Sequence, residues 1–376
     1  MGIFDFIKKK TVDAVNPSSA IREVTKSSIN KSMNDRNASS DSSRMLQDNI
    51  RNSIVGKSGL YPHEVLMLNY AHMYTENQSE FQGFWSYKYG VNEPNKILGS
   101  LAERGYLQSG GIKLSLEKES VSSLKTILRS HNVADKGKKE ELILRILSEV
   151  PESELKSQFP KRYYELTDKG KKAIADEEYV IYIHRHPNIE DLDVWKLNSL
   201  VYNPPYHPFR DKIWGYLNQK SLEHIQNRDF GLYRSTRYNM HCFLLEESKT
   251  NDALRLLTEV IYYDLSGMDN NFNMEFLNIK FANYFPYSES TVTLAPGIIG
   301  SLRDILSNLQ MNDDDLKKYL KMEFDKLGVL FHIFTKDECV DIVLAELHSD
   351  HELLARIYET AKIRLVKKYP ELKKNH

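Results

Sequence analysis

The chain has 376 residues, of which 41% are hydrophobic and 27% are charged, and its formal net charge at pH 7 is −1. That length leaves room for two or three domains, and the near-neutral charge excludes a protein whose whole surface attracts nucleic acid. The only cysteines are Cys242 and Cys339, which excludes a disulfide framework and predicts a reducing, cytoplasmic setting. No apolar run approaches the length of a membrane span, so no membrane partner is expected.

Residues 1–58 predict a flexible arm. From residue 11 onwards this segment is rich in Ser, Asn and Asp and poor in large apolar side chains, so it buries too little surface to offset ordering. A transient helix is predicted near Met45 to Ile54. Residues 1–10 carry their positive charge after the apolar stretch and lack a cleavage site, so they are not a signal peptide. Two interpretations remain for them, a frayed end and a short amphipathic docking helix.

Residues 60–178 predict helices followed by two strands that lie far apart in the sequence. Helical patterns cover 62–74 and 81–89, and a third helix is predicted to open at Asn92 as its cap and to stop at Gly105. Strands are predicted at 106–107 and 162–166, and Thr167 is the predicted cap of the helix that follows.

Two short motifs flank the gap between these strands. They are Arg104-Gly105-Tyr106-Leu107 and Tyr164-Glu165-Leu166-Thr167-Asp168-Lys169-Gly170. In this order they resemble the motifs of bacterial winged-helix DNA-binding domains, which close the third helix and follow the wing. The resemblance implies that residues 108–160 are an insertion in the wing. The alternative is two unrelated small helical domains.

The third helix would be the recognition helix of such a domain. It offers Asn95, Lys96 and Arg104 to a groove, but Glu93 and Glu103 leave it nearly neutral. We therefore expect any DNA-binding face on the wing and its insertion.

Within the insertion, residues 121–147 predict two short amphipathic helices joined by a tight extended link. Apolar residues recur at helical spacing in both halves, and Gly137 breaks the link just before the second helix. The stretch resembles the SAP domain, a helix-extended-helix DNA-binding module. The residues at the family's pattern positions are Leu124-Lys125, Asn132-Val133, Gly137, Lys139 and Glu141-Leu142-Ile143-Leu144-Arg145-Ile146. Asn132 replaces the usual glycine and Val133 the usual leucine, and asparagine tolerates a left-handed turn.

The SAP resemblance implies binding to duplex DNA, often A/T-rich, through phosphates and without strong base readout. The candidate DNA-binding residues are Lys125, Arg129, Lys136, Lys138, Lys139 and Arg145 in the SAP-like unit (115–150) and Lys161, Arg162, Lys169, Lys171 and Lys172 on the returning wing and the next helix. The alternative is an ordinary helical hairpin whose lysines are only solvated.

Residues 179–376 predict an all-helical domain that binds a protein partner. A helix ends at the Asn203-Pro204-Pro205 breaker, and residues 238–247 and 253–264 are similar to a single tetratricopeptide-type helical pair. Further helices are predicted at about 298–309, 313–326, 335–347 and 350–368. Asn312 is the predicted cap of the second of these, with carboxylates in its first turn.

Nothing in the sequence predicts catalysis or a cofactor. His184, Arg185 and His186 precede Glu190, Asp191 and Asp193, but the spacing matches no metal motif, and a loop or strand is the preferred interpretation. No phosphate-binding loop, nucleophile elbow or carboxylate pair is present. A deep polar cleft in the C-terminal domain would favour an enzyme.

Together these patterns predict a mainly α fold: a winged helix with an inserted SAP unit, followed by an all-helical C-terminal domain. The predicted function is a non-enzymatic, cytoplasmic DNA-binding protein with a second, protein partner. The overall plan resembles uncharacterised SAP-domain proteins of low-GC bacteria and their phages, which implies a role in a phage, prophage or other mobile element. The alternative function is a protein-interaction scaffold whose SAP-like unit is vestigial.

Overall fold

The computed structural model describes residues 44–268 and 294–370. The chain forms two compact units that divide between Ile181 and Tyr182. The described residues are mainly helical and contain one small sheet of two strands, so the predicted fold class is confirmed at this level. The N-terminal decapeptide and the part of the predicted arm before residue 44 lie outside the described residues.

The first unit contains ten helices and two strands among its described residues. They are α1 (44–52), α2 (Pro62–Tyr70) with a 3-10 turn (Ala71–Met73), α3 (Phe84–Tyr87), α4 (Pro94–Glu103), β1 (Leu107–Ser109), α5 (Ile112–Lys118), α6 (Val121–Ser130), α7 (Lys139–Glu149), α8 (Glu152–Gln158), β2 (Tyr164–Leu166), α9 (Asp168–Asp176) and α10 (Glu178–Arg185), which continues into the second unit.

Helix α1 occupies the stretch for which a transient helix was predicted. The Gln47 side-chain amide donates a hydrogen bond of 2.7 Å to the Gly90 carbonyl oxygen. A Cβ at Gly90 would lie 3.0 Å from Leu46 Cβ, so the absence of a side chain at Gly90 lets the helix approach closely.

An aromatic cluster forms much of the core around α2 and α3. The indole N–H of the fully buried Trp85 donates to the Tyr74 hydroxyl at 2.7 Å, and Tyr89 packs against the same indole. The prediction of Asn92 as the cap of α4 is wrong, because the Asn92 side-chain oxygen accepts a hydrogen bond from the Ser86 hydroxyl and the helix begins at Pro94.

The two predicted strands pair with each other. Strands β1 and β2 are antiparallel, with Leu107 opposite Leu166 and Ser109 opposite Tyr164. On the other edge of β2, the Tyr164 N–H donates to the Tyr74 carbonyl oxygen at 3.0 Å, and Thr75 bridges to Tyr163. Two segments that are distant in sequence therefore add to both edges of β2.

Helices α5 to α8 lie between the paired strands in the sequence and share a hydrophobic core of their own. Its buried members are Ile112, Leu116, Leu124, Ile127, Leu128, Leu142, Ile143, Ile146, Val150 and Leu155. The structure thus extends the helical unit beyond 115–150, because α5 and α8 each contribute side chains to this core.

The second unit is helical throughout its described residues. After α10 come α11 (Val194–Tyr202), α12 (Phe209–Asn227), α13 (Phe230–Glu246), α14 (Thr250–Ser266), α15 (Pro296–Leu309), α16 (Asp313–Lys326), α17 (Lys336–His348) and α18 (His351–Lys368). Helix α14 packs against α13, α15 and α16 and is buried on nearly all sides, as expected for the central helix of the unit.

Two local predictions in this unit have clear outcomes. Asn312 caps α16, since its side-chain oxygen accepts from the Asp315 N–H at 3.0 Å. His184 and Arg185 form the end of α10, so the loop or strand predicted there is wrong. The nearly continuous apolar run before them does not distinguish a strand from a buried helix.

Candidate nucleic-acid interface

The link between α6 and α7 changes direction at two residues with positive φ. Asn132 has φ 58° and ends α6, with the Val133 N–H bonded to the Leu128 carbonyl oxygen at 2.9 Å. Gly137 has φ 136°, a value that side-chain-bearing residues rarely adopt, and a Cβ there would lie 2.4 Å from a Glu141 carboxylate oxygen. Both residues with positive φ, Asn132 and Gly137, stand at positions of the SAP-like pattern described above.

Arg145 of α7 holds this link in place. Its guanidinium donates to the carbonyl oxygens of Ala134 and Lys136, the second at 3.0 Å. Because carbonyl groups in an extended link have no helical partner, these bonds satisfy acceptors that would otherwise need water. Arg145 was predicted to bind DNA, and in the structure it ties α7 to the link.

Arg129 is also committed within the unit. Its Nε and one terminal nitrogen each lie 2.6 Å from Asp135 Oδ2. The hydrogen bond from Arg129 lowers the pKa of the Asp135 carboxyl, and the nearby positive charge of Lys125 acts in the same direction. Lys125 of α6 is therefore electrostatically coupled to the link.

Lys139 makes a third internal contact. Its ammonium donates to the Glu117 carbonyl oxygen at 2.8 Å, in the last turn of α5. A cation at a helix C-terminus satisfies an unpaired carbonyl and complements the helix dipole. Lys139 thus joins α5 to the start of α7.

Three of the predicted cations of this unit form no hydrogen bond or salt bridge among the described residues, although the charge of Lys125 acts on Asp135. Within the part of the chain that the structure describes, the ammonium groups of Lys125, Lys136 and Lys138 make no hydrogen bond or ion pair. Lys136 and Lys138 are exposed, and Lys125 is partly so. Lys136 lies in the link and Lys138 immediately precedes α7. We call Lys125, Lys136 and Lys138 the link lysines.

Most predicted cations of the wing and of α9 have internal partners. The Lys169 ammonium donates to the Arg104 carbonyl oxygen at 2.8 Å and lies 4.0 Å from the centre of the Tyr106 ring. Lys171 pairs with Asp168 at 3.2 Å, and Lys172 pairs with Asp176 at 2.7 Å.

Arg162 and Lys161 differ from that group. Arg162 is half-buried, and one of its terminal nitrogens is enclosed with no hydrogen-bond partner among the residues that the structure describes. Lys161 is exposed and, among the described residues, has no ion-pair partner. Lys161 is therefore the wing cation whose charge is most available to a ligand.

Helix α4 offers little free charge. Lys96 pairs with Glu93 at 2.6 Å, Arg104 pairs with Glu64, and the Asn95 amide donates to the Gln78 carbonyl oxygen at 2.8 Å. Asn95, Lys96 and Arg104, which were expected to face a DNA groove, thus each bind another group of the protein.

The sequence-based prediction did not include Lys118. It ends α5, is exposed, and its ammonium lies 5.7 Å from the centre of the Tyr163 ring next to β2. The SAP pattern begins after Lys118, so motif matching had no position for it.

Other site chemistries find no support in the described residues. They contain no group of three or more His, Cys, Asp or Glu side chains placed to hold a metal ion. Within the same ranges, no helix is both long and apolar enough to cross a membrane. A scan of family models and searches of curated proteins and solved structures found no match to this chain.

Proposed function

We propose that the chain is a non-enzymatic DNA-binding protein in which a SAP unit, inserted in the wing of a winged helix, contacts duplex phosphates. In this proposal the second unit binds a protein partner. The winged-helix assignment is supported by the pairing of β1 with β2 around the inserted helices and by the addition of residues 74–76 to the outer edge of β2.

One observation carries the DNA-binding proposal. Arg145 and Arg129 hold the link, and Lys139 joins α5 to α7. The ammonium groups of Lys136 in the link, Lys138 immediately before α7 and Lys125 in α6 make no hydrogen bond or ion pair among the described residues. Ammonium groups around a rigid link and the N-terminus of α7 suit phosphate oxygens. Glu140 and Glu141 lie in the first turn of α7 and oppose this attraction, so binding by the unit alone is expected to be weak.

The salt dependence of binding tests the proposal. With three or four phosphate contacts, log K for the full chain should fall with log[salt] at a slope of about −3 to −4. The slope should be equal for A/T-rich and G/C-rich duplexes of one length, because phosphates carry no sequence information. Fluorescence anisotropy at several salt concentrations measures the slope. A slope near zero, or no binding at low salt, would contradict phosphate recognition.

A second candidate function rests on a different surface of α7. Leu144 is 61% exposed and Leu147 is 38% exposed, and they lie one turn apart on the outer face of the helix. Exposed leucines at helical spacing suit a protein contact rather than a phosphate. This favours the scaffold alternative, in which Leu144→Ser would abolish partner capture and charge reversal of the link lysines would not.

A further inference from the structure

The second unit contains an open cavity of about 260 Å³ beside the end of α10 and the start of the following loop. Helices α12 and α13 supply its remaining walls. Among the residues that line it are Arg185, Ile189, Leu217, Cys242, Phe243 and Glu246.

The inner surface of this cavity is apolar. Leu217 is fully buried, and Phe243 and Ile189 are 4% and 9% exposed. A dry cavity of about 150 Å³ with such a lining accommodates benzene, whereas sites that enclose whole small molecules measure about 300–1,000 Å³. At about 260 Å³ the cavity is large enough for one large apolar side chain and lies just below the range of sites that enclose whole small molecules.

The acidic group at the cavity wall is already neutralised. Glu246 accepts a hydrogen bond from the Tyr182 hydroxyl at 2.9 Å, lies 3.0 Å from His186 Nε2 and pairs with Arg210 at 3.2 Å. Burial raises the pKa of the Cys242 thiol, so the thiol is protonated at neutral pH. The walls thus hold neither an available base nor an activated nucleophile, and the cavity is built for binding.

The polar groups of the cavity that can still bind a ligand are a guanidinium and a side-chain amide. Arg185 is exposed and makes no hydrogen bond or ion pair within the described ranges. The Asn239 amide is used, because it donates to the Asn188 carbonyl oxygen at 3.2 Å. The exposed Asn188 side chain makes no hydrogen bond among the described residues. A guanidinium beside an amide recognises a carboxylate well.

We propose that this cavity is the docking site for a protein partner and receives one Phe or Leu side chain whose neighbouring Asp or Glu binds Arg185. This docking site rests on the proposed role of the second unit in binding a protein partner. It does not depend on DNA binding by the first unit. An apolar anchor in a desolvated pocket with a charged contact at its rim is the usual form of an interface hot spot.

The cavity contains its own reporter, since Cys242 lines it and Cys339 is fully buried. We would measure the rate of Cys242 alkylation by iodoacetamide in the full-length chain, using mass spectrometry to distinguish the two thiols. The probe is acetyl-Glu-Phe-Glu-amide at millimolar concentrations, with acetyl-Glu-Ala-Glu-amide, acetyl-Lys-Phe-Lys-amide and a thymidine tetranucleotide as comparisons.

The acidic Phe peptide should slow alkylation about fivefold at four times its Kd, because only one fifth of the sites then remain free. The other three compounds should leave the rate nearly unchanged. Equal protection by the Lys-Phe-Lys peptide would overturn the carboxylate contact. Protection by the tetranucleotide alone would make this a nucleic-acid site, and no protection by the acidic Phe peptide would overturn the docking site.

Arg185→Glu should weaken the acidic peptide about tenfold, as expected for the loss of a charge-assisted hydrogen bond. Arg356→Glu makes the same charge change at an exposed position of α18 and serves as the matched control. Equal affinities of the two variants would overturn the role of Arg185. Duplex affinity measured on the same samples reports separately on the DNA-binding proposal.

Discussion

Gly170 and Tyr106 are so close that a Cβ at Gly170 would lie 2.2 Å from the Tyr106 carbonyl oxygen. The contact joins the two motifs that flank the inserted helices. Thr167 reinforces it, because its hydroxyl donates to the Gly105 carbonyl oxygen at 2.8 Å and accepts from the Gly170 N–H at 3.1 Å. The threonine and the glycine of the second motif thus bind the first motif directly.

Gly170→Ala should therefore destabilise the first unit by about 3 kcal/mol, because the methyl group overlaps a backbone atom that is held in place. Gly99→Ala is the matched control: it lies within α4, nothing is within 4 Å of its Cβ position, and it should stabilise by about 0.5–1 kcal/mol. Urea denaturation followed by circular dichroism measures both. Equal effects of the two substitutions would contradict the close approach.

The link lysines should contribute to duplex binding without regard to sequence. Lys136→Glu combined with Lys138→Glu should weaken every duplex tested by a similar factor and reduce the salt slope by about 2, since two phosphate contacts are lost. Lys96→Glu, on α4, should change the slope little because that lysine already pairs with Glu93. A loss confined to one sequence would mean that the lysines read bases.

Arg145 should behave differently from the link lysines. Arg145→Gln removes the charged donor that holds the Ala134 and Lys136 carbonyl groups, so the link should become more mobile to hydrogen exchange and the affinity should fall. The salt slope should stay unchanged, because in this interpretation Arg145 makes no phosphate contact. A decrease of the slope by about 1 would instead assign a phosphate to Arg145.

The first unit should lose stability in mildly acidic solution through His63. Burial lowers the pKa of this imidazole from 6.5 to about 4, so the folded unit keeps His63 neutral. Between these two pKa values the unfolded chain binds more protons than the folded chain. The free energy of unfolding should therefore fall as the pH drops from 6.5 towards 4, by up to about 3 kcal/mol. His63→Phe should flatten this part of the pH profile, measured by denaturant titration; an unchanged profile would exclude His63 as its cause.

Deletion of the inserted helices tests the architecture. Replacing residues 110–160 by a short turn should leave β1 and β2 paired and the first unit folded, with reduced DNA affinity. A fragment of residues 110–160 should be more helical than one of residues 115–150, because the shorter fragment lacks Ile112 and Leu155 of the separate core. An unfolded deletion variant would show that the helices support the strands.

The sequence predicted helix caps from local pattern and the strand pairing from the two flanking motifs, but not the side-chain contacts between separate elements. The Thr167 and Asn312 caps are confirmed, since a capping side chain bonds within its own first turn. The pairing of the two strands was also predicted correctly. The contacts of Lys139 and Lys169 with carbonyl groups of other helices were missed, because no spacing rule relates a lysine to a helix end that lies 22 or 65 residues away.

The inserted helices leave and rejoin the sheet at adjoining positions. The Gly110 N–H bonds to the Tyr163 carbonyl oxygen at 2.8 Å, so both ends of the helical unit are held side by side. A segment with neighbouring ends adds little loop-closure cost to the hairpin that carries it. Because its ends adjoin, the unit can grow or shrink in length without separating β1 from β2.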